Sequence, residues 1–256
     1  MRRSTAIRTP GGLVDRARVG KRPFGTIVAL ADPASTVIFG RAGFDFVILD
    51  CEHGPLSVMD VGNHVRAAEA CGTIPLVRVR DNSASGIGAM LDAGAHGVVV
   101  PHVDDAAAAR AAVAATRYAP VGVRGKCPGC YGADYSPADW KAHWPRANAE
   151  AIAIPIIESV RAVQNIEEIV AVDGVDIVLF GPGDLGQEMG LTDGDALIAA
   201  WVRVRDAAHA AGKLAIGSRG RGFEGSDLIL ASMDVLLLRR VANEIARDCR
   251  NEGAEA

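Results

Sequence analysis

Short apolar segments recur along almost the whole chain, and they constrain the fold more than any other feature. Eight of them, rich in β-branched residues, alternate with stretches of helical periodicity. Their hydrophobicity is continuous rather than alternating, as in strands buried on both faces of a parallel sheet. Eight such strands in 256 residues predict a single-domain (β/α)8 TIM barrel, since a doubly wound sheet would not naturally use eight evenly spaced strands. The predicted strands cover residues 25–31, 45–50, 74–79, 97–101, 151–157, 175–180, 213–217 and 234–238.

The stretches between these segments carry helix start and stop signals. Residues 58–71 follow Ser57, a predicted N-cap, with Asp60 at the third helical position. Segment 118–136 lies between two predicted helices and is rich in Gly and Pro. We expect a long loop of functional or mobile character there. Further helices are predicted over residues 104–117, 137–149, 162–172 and 196–211.

Composition excludes several classes of protein. Lys and Arg number 27 against 31 Asp and Glu, so the basic excess typical of a nucleic-acid-binding domain is absent. No run of eighteen apolar residues occurs, so we expect no membrane span. Five cysteines form a sparse and odd set, which favours a reducing compartment and a cytoplasmic location. Residues 1–22 are basic, and we interpret them as a solvated lead-in to a barrel domain over residues 23–256, with an organellar transit segment as the alternative.

Two carboxylates follow neighbouring predicted strands. Glu158 ends the fifth strand and Asp184 follows the sixth, one β/α repeat later, at the barrel end where active sites form. Adjacent carboxylates repel unless they are protonated or bridged by a cation, and oxygen ligands suggest Mg²⁺ or Mn²⁺. The alternative is that both acids cap helices or pair with arginine.

Other polar residues at strand ends admit two interpretations each. Arg78 lies within an apolar strand and needs a partner, either a substrate carboxylate or a glutamate, because its charge cannot be removed. His53 is a functional group of the site or only a surface cap, and His102 is a second acid or a polar plug. Arg219 and Arg221 suggest a site for an anionic substrate tail or a mobile surface loop.

Cys127 and Cys130 have the Cys-x-x-Cys spacing of redox and zinc motifs. A lone pair at this spacing is weak support for either function, and no second Cys/His pair at zinc-finger spacing accompanies it. We therefore expect two loop thiols.

Several motifs in order resemble those of one family. The strings GFDFVILDCEHGP, PLVRV, LDAGAHGVVVPHV, RYAPVGVRG and GVDIVLFGPGDLG are similar to the HpcH/HpaI aldolases, which are metal-dependent (class II) pyruvate aldolases on a (β/α)8 barrel. The resemblance runs from about residue 25 to about residue 190. It implies that Glu158 and Asp184 are ligands of a divalent metal, Mg²⁺ or Mn²⁺, with Co²⁺ as a further candidate.

The same resemblance implies roles for the remaining site residues. His53 matches the proton-transfer histidine, supported by Asp50, and Arg78 matches the arginine that contacts the pyruvate oxygens. In the turn Pro182–Gly183–Asp184, the backbone of Gly183 and Asp184 is expected to meet the substrate carboxylate. Ile156 departs from the family, which commonly has Gln two residues before the metal-binding Glu.

The implied reaction is retro-aldol cleavage of a 4-hydroxy-2-oxo acid to pyruvate and an aldehyde, or the reverse, through an enolate that the metal stabilises. The family further implies a homo-oligomer, a hexamer or trimer. One alternative is an oxaloacetate decarboxylase or a citrate-forming condensing enzyme. Another, motivated by Ile156, is a metabolite-binding or degenerate barrel without lyase activity.

Overall fold

Eight parallel strands close into a barrel. The computed structural model describes residues 12–136, 138, 140–190 and 194–252. Each strand pairs with the next along the chain, and the last pairs with the first, which confirms the predicted (β/α)8 architecture. The strands are β1 (Phe24–Val28), β2 (Phe46–Asp50), β3 (Ile74–Arg78), β4 (Gly97–Val100), β5 (Ile152–Ile157), β6 (Ile177–Phe180), β7 (Leu214–Ser218) and β8 (Leu228–Met233).

Helices follow the strands around the outside of the barrel. The prediction for residues 58–71 is confirmed, including the capping box in which the Ser57 hydroxyl accepts from the Asp60 N–H. The helix predicted over residues 162–172 is instead two short helices that meet at Asn165. The described helices are α1 (Leu13–Arg18), α2 (Ala34–Arg41), α3 (Val58–Cys71), α4 (Ala84–Asp92), α5 (Ala106–Thr116), α6 (Trp140–Glu150), α7 (Val160–Gln164), α8 (Ile166–Val170), α9 (Pro182–Glu188), α10 (Gly194–Ala210) and α11 (Asp234–Glu252).

The prediction of the eighth strand is wrong. Residues 234–238 begin α11, and the strand is the preceding segment Leu228–Met233. The Asp234 carboxylate accepts the N–H of Val235 in the first turn of the helix, and it also accepts the N–H groups of Ala29 and Leu30 after β1. The apolar run after Asp234 is therefore part of an amphipathic helix.

Part of the predicted basic lead-in contributes to the core. Within α1, Leu13 and Ala17 are buried among the residues that fill the barrel interior, so this part is not solvated. Residues 1–11 lie outside the described part of the chain, and the boundary at residue 23 stays a prediction. No described helix is both long enough and apolar enough to cross a membrane.

Side chains alternate between two apolar layers, and this alternation positions the site. Phe46 and Ile48 of β2 lie in the inner cluster, while Val47 and Leu49 pack in the cluster beneath the helices. The same alternation holds for Ile74 and Leu76 of β3 and for Ile154 and Ile156 of β5. The next inward positions, two residues further along the chain in each case, are Asp50, Arg78 and Glu158. The inner apolar layer thus ends in charged residues at the carboxyl end of the barrel.

Candidate active site

Asp50 and Arg78 form a buried ion pair at the ends of β2 and β3. They are direct partners in the parallel register. Arg78 Nε donates to Asp50 Oδ1 at 2.9 Å, and Arg78 Nη2 donates to Oδ2 at 2.7 Å, in a bidentate arrangement. Burial raises the pKa of Asp50, but the hydrogen bonds and charge of Arg78 outweigh burial and hold the pKa below its usual value. Arg78 is therefore charged and held in one orientation.

Asp50 also organises the turn that follows β2. Its Oδ1 accepts the backbone N–H of Glu52 at 3.1 Å and that of His53 at 3.3 Å. Gly54 packs so closely on this turn that an added Cβ would collide with the Asp50 carbonyl oxygen. The contact described between Asp50 and His53 is this hydrogen bond from the His53 backbone N–H. The His53 imidazole itself is 62% exposed at the barrel mouth.

Glu52 lies between the cationic groups of the site. Its side chain is only 9% exposed, and its Oε2 is 3.2 Å from Arg78 Nη1 and 3.9 Å from His53 Nε2. Oε2 nevertheless accepts no hydrogen bond from any residue that the structure describes. A buried carboxylate oxygen without a donor is costly, which indicates that the site is built for a further cationic or hydrogen-bonding group.

Glu158 is the buried acid at the end of β5, as the sequence predicted. Its Oε1 accepts the His102 backbone N–H at 2.8 Å. Burial raises the pKa of Glu158, and the charges of Glu52 and Asp184 raise it further, although the His102 N–H and the His102 side chain oppose this. The site therefore holds more negative charge than it compensates, which favours the binding of a cation.

His102 brings an imidazole between two of these carboxylates. Its Nδ1 is 3.4 Å from Glu158 Oε1, and its Nε2 is 3.5 Å from Glu52 Oε1. Ligand atoms of Glu52, His102 and Glu158 all lie within 4.8 Å of one another. Glu52 was not predicted as a site residue, and His102 was left with two interpretations. Their position directly after strand ends was the available signal.

The predicted turn after β6 lies at the same end of the barrel. Pro182 is the first residue of α9, and Gly183 and Asp184 are exposed in its first turn. Asp184 is close enough for its charge to raise the pKa of Glu158, but it is not one of the three residues within 4.8 Å of one another. Metal binding by Asp184 and substrate binding by this turn stay predictions.

Gly181 permits β6 to pass close to Glu158. An added Cβ at Gly181 would lie 2.7 Å from the Cβ of Glu158 and 3.0 Å from Cγ2 of Ile156. We expect Gly181→Ala to displace the Glu158 carboxylate and to lower turnover in the cleavage reaction that the sequence resemblance implies by about tenfold or more, since small misplacements of reacting groups cost up to about 10²-fold. Steady-state kinetics measure this effect. Gly88→Ala on α4, where an added Cβ also meets nothing within 4 Å, is the matched control; equal turnover of the two variants would contradict the prediction.

Ile156, the departure from the family pattern, is fully buried in the barrel interior, so this position offers no polar contact.

Cys127 and Cys130 are free thiols in the loop before α6, where Cys130 Sγ donates to the Cys127 carbonyl at 3.0 Å. Arg219 and Arg221 are exposed after β7, at the same end of the barrel as Glu158. These two arginines remain candidates for an anionic substrate tail.

Comparisons with known proteins agree with this architecture. A family model described as HpcH/HpaI aldolase/citrate lyase matches residues 24–224. The hydroxypyruvate/pyruvate aldolase of Rhizorhabdus wittichii is 33% identical over 222 residues, which are 82% of this chain and 87% of the relative.

Two solved structures are also similar. A HpcH/HpaI aldolase/citrate lyase family protein from Burkholderia cenocepacia has a TM-score of 0.87 at 30% identity, over 94% of this chain and all of that chain. The citrate synthase SbnG has a TM-score of 0.84 at 27% identity, over 94% of this chain and 98% of that chain. The chain therefore belongs to the HpcH/HpaI aldolase/citrate lyase family and is a carbon–carbon lyase.

Proposed function

We propose that this lyase cleaves a 4-hydroxy-2-oxo acid to pyruvate and an aldehyde, or forms it from them, with a bound divalent cation. The observation that carries the proposal is the buried Glu158 carboxylate, which shares the barrel mouth with Glu52, His102 and the rigidly held Arg78. The site combines surplus acid charge for a cation with a fixed guanidinium for an anionic substrate. Such a pair of binding functions suits a 2-oxo acid.

The residues at the mouth fit a divalent cation. Glu158 and Asp184 would hold the ion through carboxylate oxygens, which are the ligands that Mg²⁺ and Mn²⁺ prefer. A cation would balance the surplus negative charge around Glu158 and would give Oε2 of Glu52, which accepts no hydrogen bond from the described residues, a partner. When bound, the ion supplies polarisation of the keto group and stabilises the negative charge that develops there.

The side chains of this chain supply binding and proton transfer. Arg78, fixed by Asp50, would donate to the oxygens of the 2-oxo acid without a costly reorientation. The exposed His53 imidazole is accessible to substrate, and it would take the 4-hydroxyl proton during cleavage and return it during synthesis. Asp50 serves both groups, because it holds Arg78 and the backbone of His53.

A retro-aldol screen tests the proposal. Purified protein freed of metal with EDTA is given Mg²⁺, Mn²⁺ or Co²⁺ and a set of 4-hydroxy-2-oxo acids that differ in chain length and terminal charge. We expect metal-dependent release of pyruvate from at least one of them. Release that is equally fast with and without EDTA would contradict the role of the metal, and no release from any of them would contradict the substrate class.

The similarity to a citrate synthase favours one alternative reaction. In it, the site uses oxaloacetate, either by decarboxylation or by condensation with a thioester, and Arg219 and Arg221 bind the additional carboxylate. Comparing turnover of oxaloacetate with cleavage of 4-hydroxy-2-oxo acids by the same preparation separates the two. If oxaloacetate is preferred and Arg219→Gln removes that preference, the alternative replaces the aldolase assignment.

We also propose a homo-oligomer, a hexamer or trimer, in the cytoplasm. Helix α11 exposes Leu236, Leu238, Val241 and Ile245, which is an apolar surface that a second copy would bury. The sparse and odd set of five cysteines favours a reducing compartment. Light scattering coupled to size-exclusion chromatography measures the mass, and a monomer at 26.6 kDa would contradict the oligomer.

A further inference from the structure

An imidazole lies among the carboxylates of the mouth. Glu52 follows β2, His102 follows β4 and Glu158 follows β5, so the barrel gathers three ligand types from separate parts of the chain. We propose that His102 is a direct nitrogen ligand of the divalent cation, beside Glu158 and Glu52, and that this chain consequently prefers Mn²⁺ or Co²⁺ to Mg²⁺. This inference rests on the proposed use of a metal and specifies the ligands that hold it.

The distances suit one ion. Two ligands with bonds of about 2.1 Å to the same ion lie about 3 Å apart when adjacent and about 4.2 Å apart when opposite. One ligand atom from each of Glu52, His102 and Glu158 lies within 4.8 Å of the other two. His102 Nδ1 is the ring nitrogen closer to Glu158 and Nε2 the one closer to Glu52, so the ion would take one of the two nitrogens. Small side-chain rotations would bring that nitrogen and the two carboxylates onto one ion. An octahedral ion has six positions, which leaves room for Asp184 and the substrate.

His102 combines an unusual backbone conformation with an imidazole that lies near both carboxylates, although its side chain is 70% exposed. Its φ is +55°, in the left-handed region that non-glycine residues rarely adopt. In this conformation the His102 N–H donates to Glu158 Oε1, while the ring extends over both carboxylates. One residue thus contacts Glu158 twice, through its backbone and through its ring.

Glu52 provides the second indication of a ligand. Its side chain is nine-tenths buried, and its Oε2 accepts no hydrogen bond from the described residues even though Arg78 Nη1 is 3.2 Å away. The buried Ile156 side chain offers no polar atom to this part of the mouth. A cation between Glu52, His102 and Glu158 would neutralise the negative charge that Arg78, which is shared with Asp50, does not balance.

A nitrogen ligand changes which ion binds best. Imidazole suits the later first-row metals, whose affinity rises from Mn²⁺ to Co²⁺, whereas Mg²⁺ prefers oxygen ligands. The principal alternative is that His102 is an imidazolium paired with both carboxylates and is displaced when the ion arrives. The two arrangements differ in whether a nitrogen nucleus contacts the metal.

Mn²⁺ alone is the probe for the first test. Electron spin echo envelope modulation of the Mn²⁺-loaded wild type should show coupling to an imidazole ¹⁴N. His102→Asn tolerates the left-handed backbone and should remove this coupling while Mn²⁺ still binds. His53→Asn, which changes an exposed imidazole of the same mouth, should retain it. If His102→Asn folds poorly, His102→Gly keeps the positive φ and the backbone donor, with the same expected result.

Calorimetric titration with Co²⁺ and Mg²⁺ is the second test. We expect His102→Asn to lower Co²⁺ affinity by about tenfold or more and Mg²⁺ affinity by less than about threefold. Bound Mn²⁺ without ¹⁴N coupling in the wild type, or equal losses for both ions, overturns the ligand assignment. Metal-dependent pyruvate release by the wild type would leave the proposed function standing whatever these two tests show, so the two failures are distinguishable.

Discussion

Replacing Glu158 with glutamine should lower kcat/KM for pyruvate-forming cleavage by roughly 10³-fold, the scale associated with removing one strong electrostatic stabiliser from an active site. Glutamine has the same shape, so the close packing between Glu158 and Gly181 is preserved. The charge alone is removed. Steady-state kinetics with saturating Mn²⁺ measure the loss.

Stability should move in the opposite direction. Because burial raises the pKa of Glu158, its ionisation opposes folding in the metal-free protein. The stabilising contribution of the protonated form is complete below the ordinary glutamate pKa and is lost as the pH rises through the raised, folded-state pKa. We therefore expect metal-free Glu158→Gln to unfold at a higher temperature than wild type at neutral pH, with the difference shrinking toward pH 4. Glu167→Gln, an exposed position on α8, is the control; equal kinetic losses in the two variants would contradict the assignment.

Replacing Arg78 with methionine should have the largest effect on folding, a loss of about 3–5 kcal/mol in the free energy of unfolding, because the buried Asp50 carboxylate loses its cation. Cleavage activity should fall as well, since Arg78 is the proposed contact for the 2-oxo acid. Urea unfolding measures the first effect and kcat/KM the second.

A double variant separates the structural role of Arg78 from its role in substrate binding. Asp50→Asn combined with Arg78→Met removes both charges and should recover part of the lost stability, because Asp50 is no longer an unpaired buried charge, whereas Glu52 still lacks the Arg78 guanidinium. Activity should not recover. If the double variant regained turnover together with stability, Arg78 would be a structural residue only. The pH dependence of stability tests the same ion pair, because Arg78 lowers the pKa of Asp50. The stability that the pair provides is present above the ordinary aspartate pKa. It should be lost as the pH falls through the lowered pKa of the folded state.

Much of the barrel was predictable because parallel strands buried on both faces leave a continuous apolar signal. Seven of the eight predicted segments overlap strands in the structure. The eighth failed because Leu228–Met233 includes Ala231 and Ser232, while the more apolar run after Asp234 belongs to an amphipathic helix. Local hydrophobicity alone does not distinguish an exposed apolar helix face from a buried strand.

The site was predictable only where a strand determines the direction of a side chain. Alternation along β2, β3 and β5 directs Asp50, Arg78 and Glu158 inward. The direct pairing of Asp50 with Arg78 depends on the strand register, which no local pattern reveals. Glu52 and His102 lie beyond the strand ends, where the turn decides the direction, and a positive φ at His102 has no signal in the sequence.

Exchange of the pyruvate methyl protons with D₂O tests the central claim most directly, because it needs no knowledge of the aldehyde. We predict that the wild type with Mn²⁺ or Mg²⁺ exchanges these protons, that EDTA stops the exchange, and that Glu158→Gln reduces it by roughly 10³-fold, the scale expected for its cleavage activity. Absence of metal-dependent exchange, with Glu158→Gln indistinguishable from wild type, would contradict the account and favour a barrel that binds metabolites without lyase turnover.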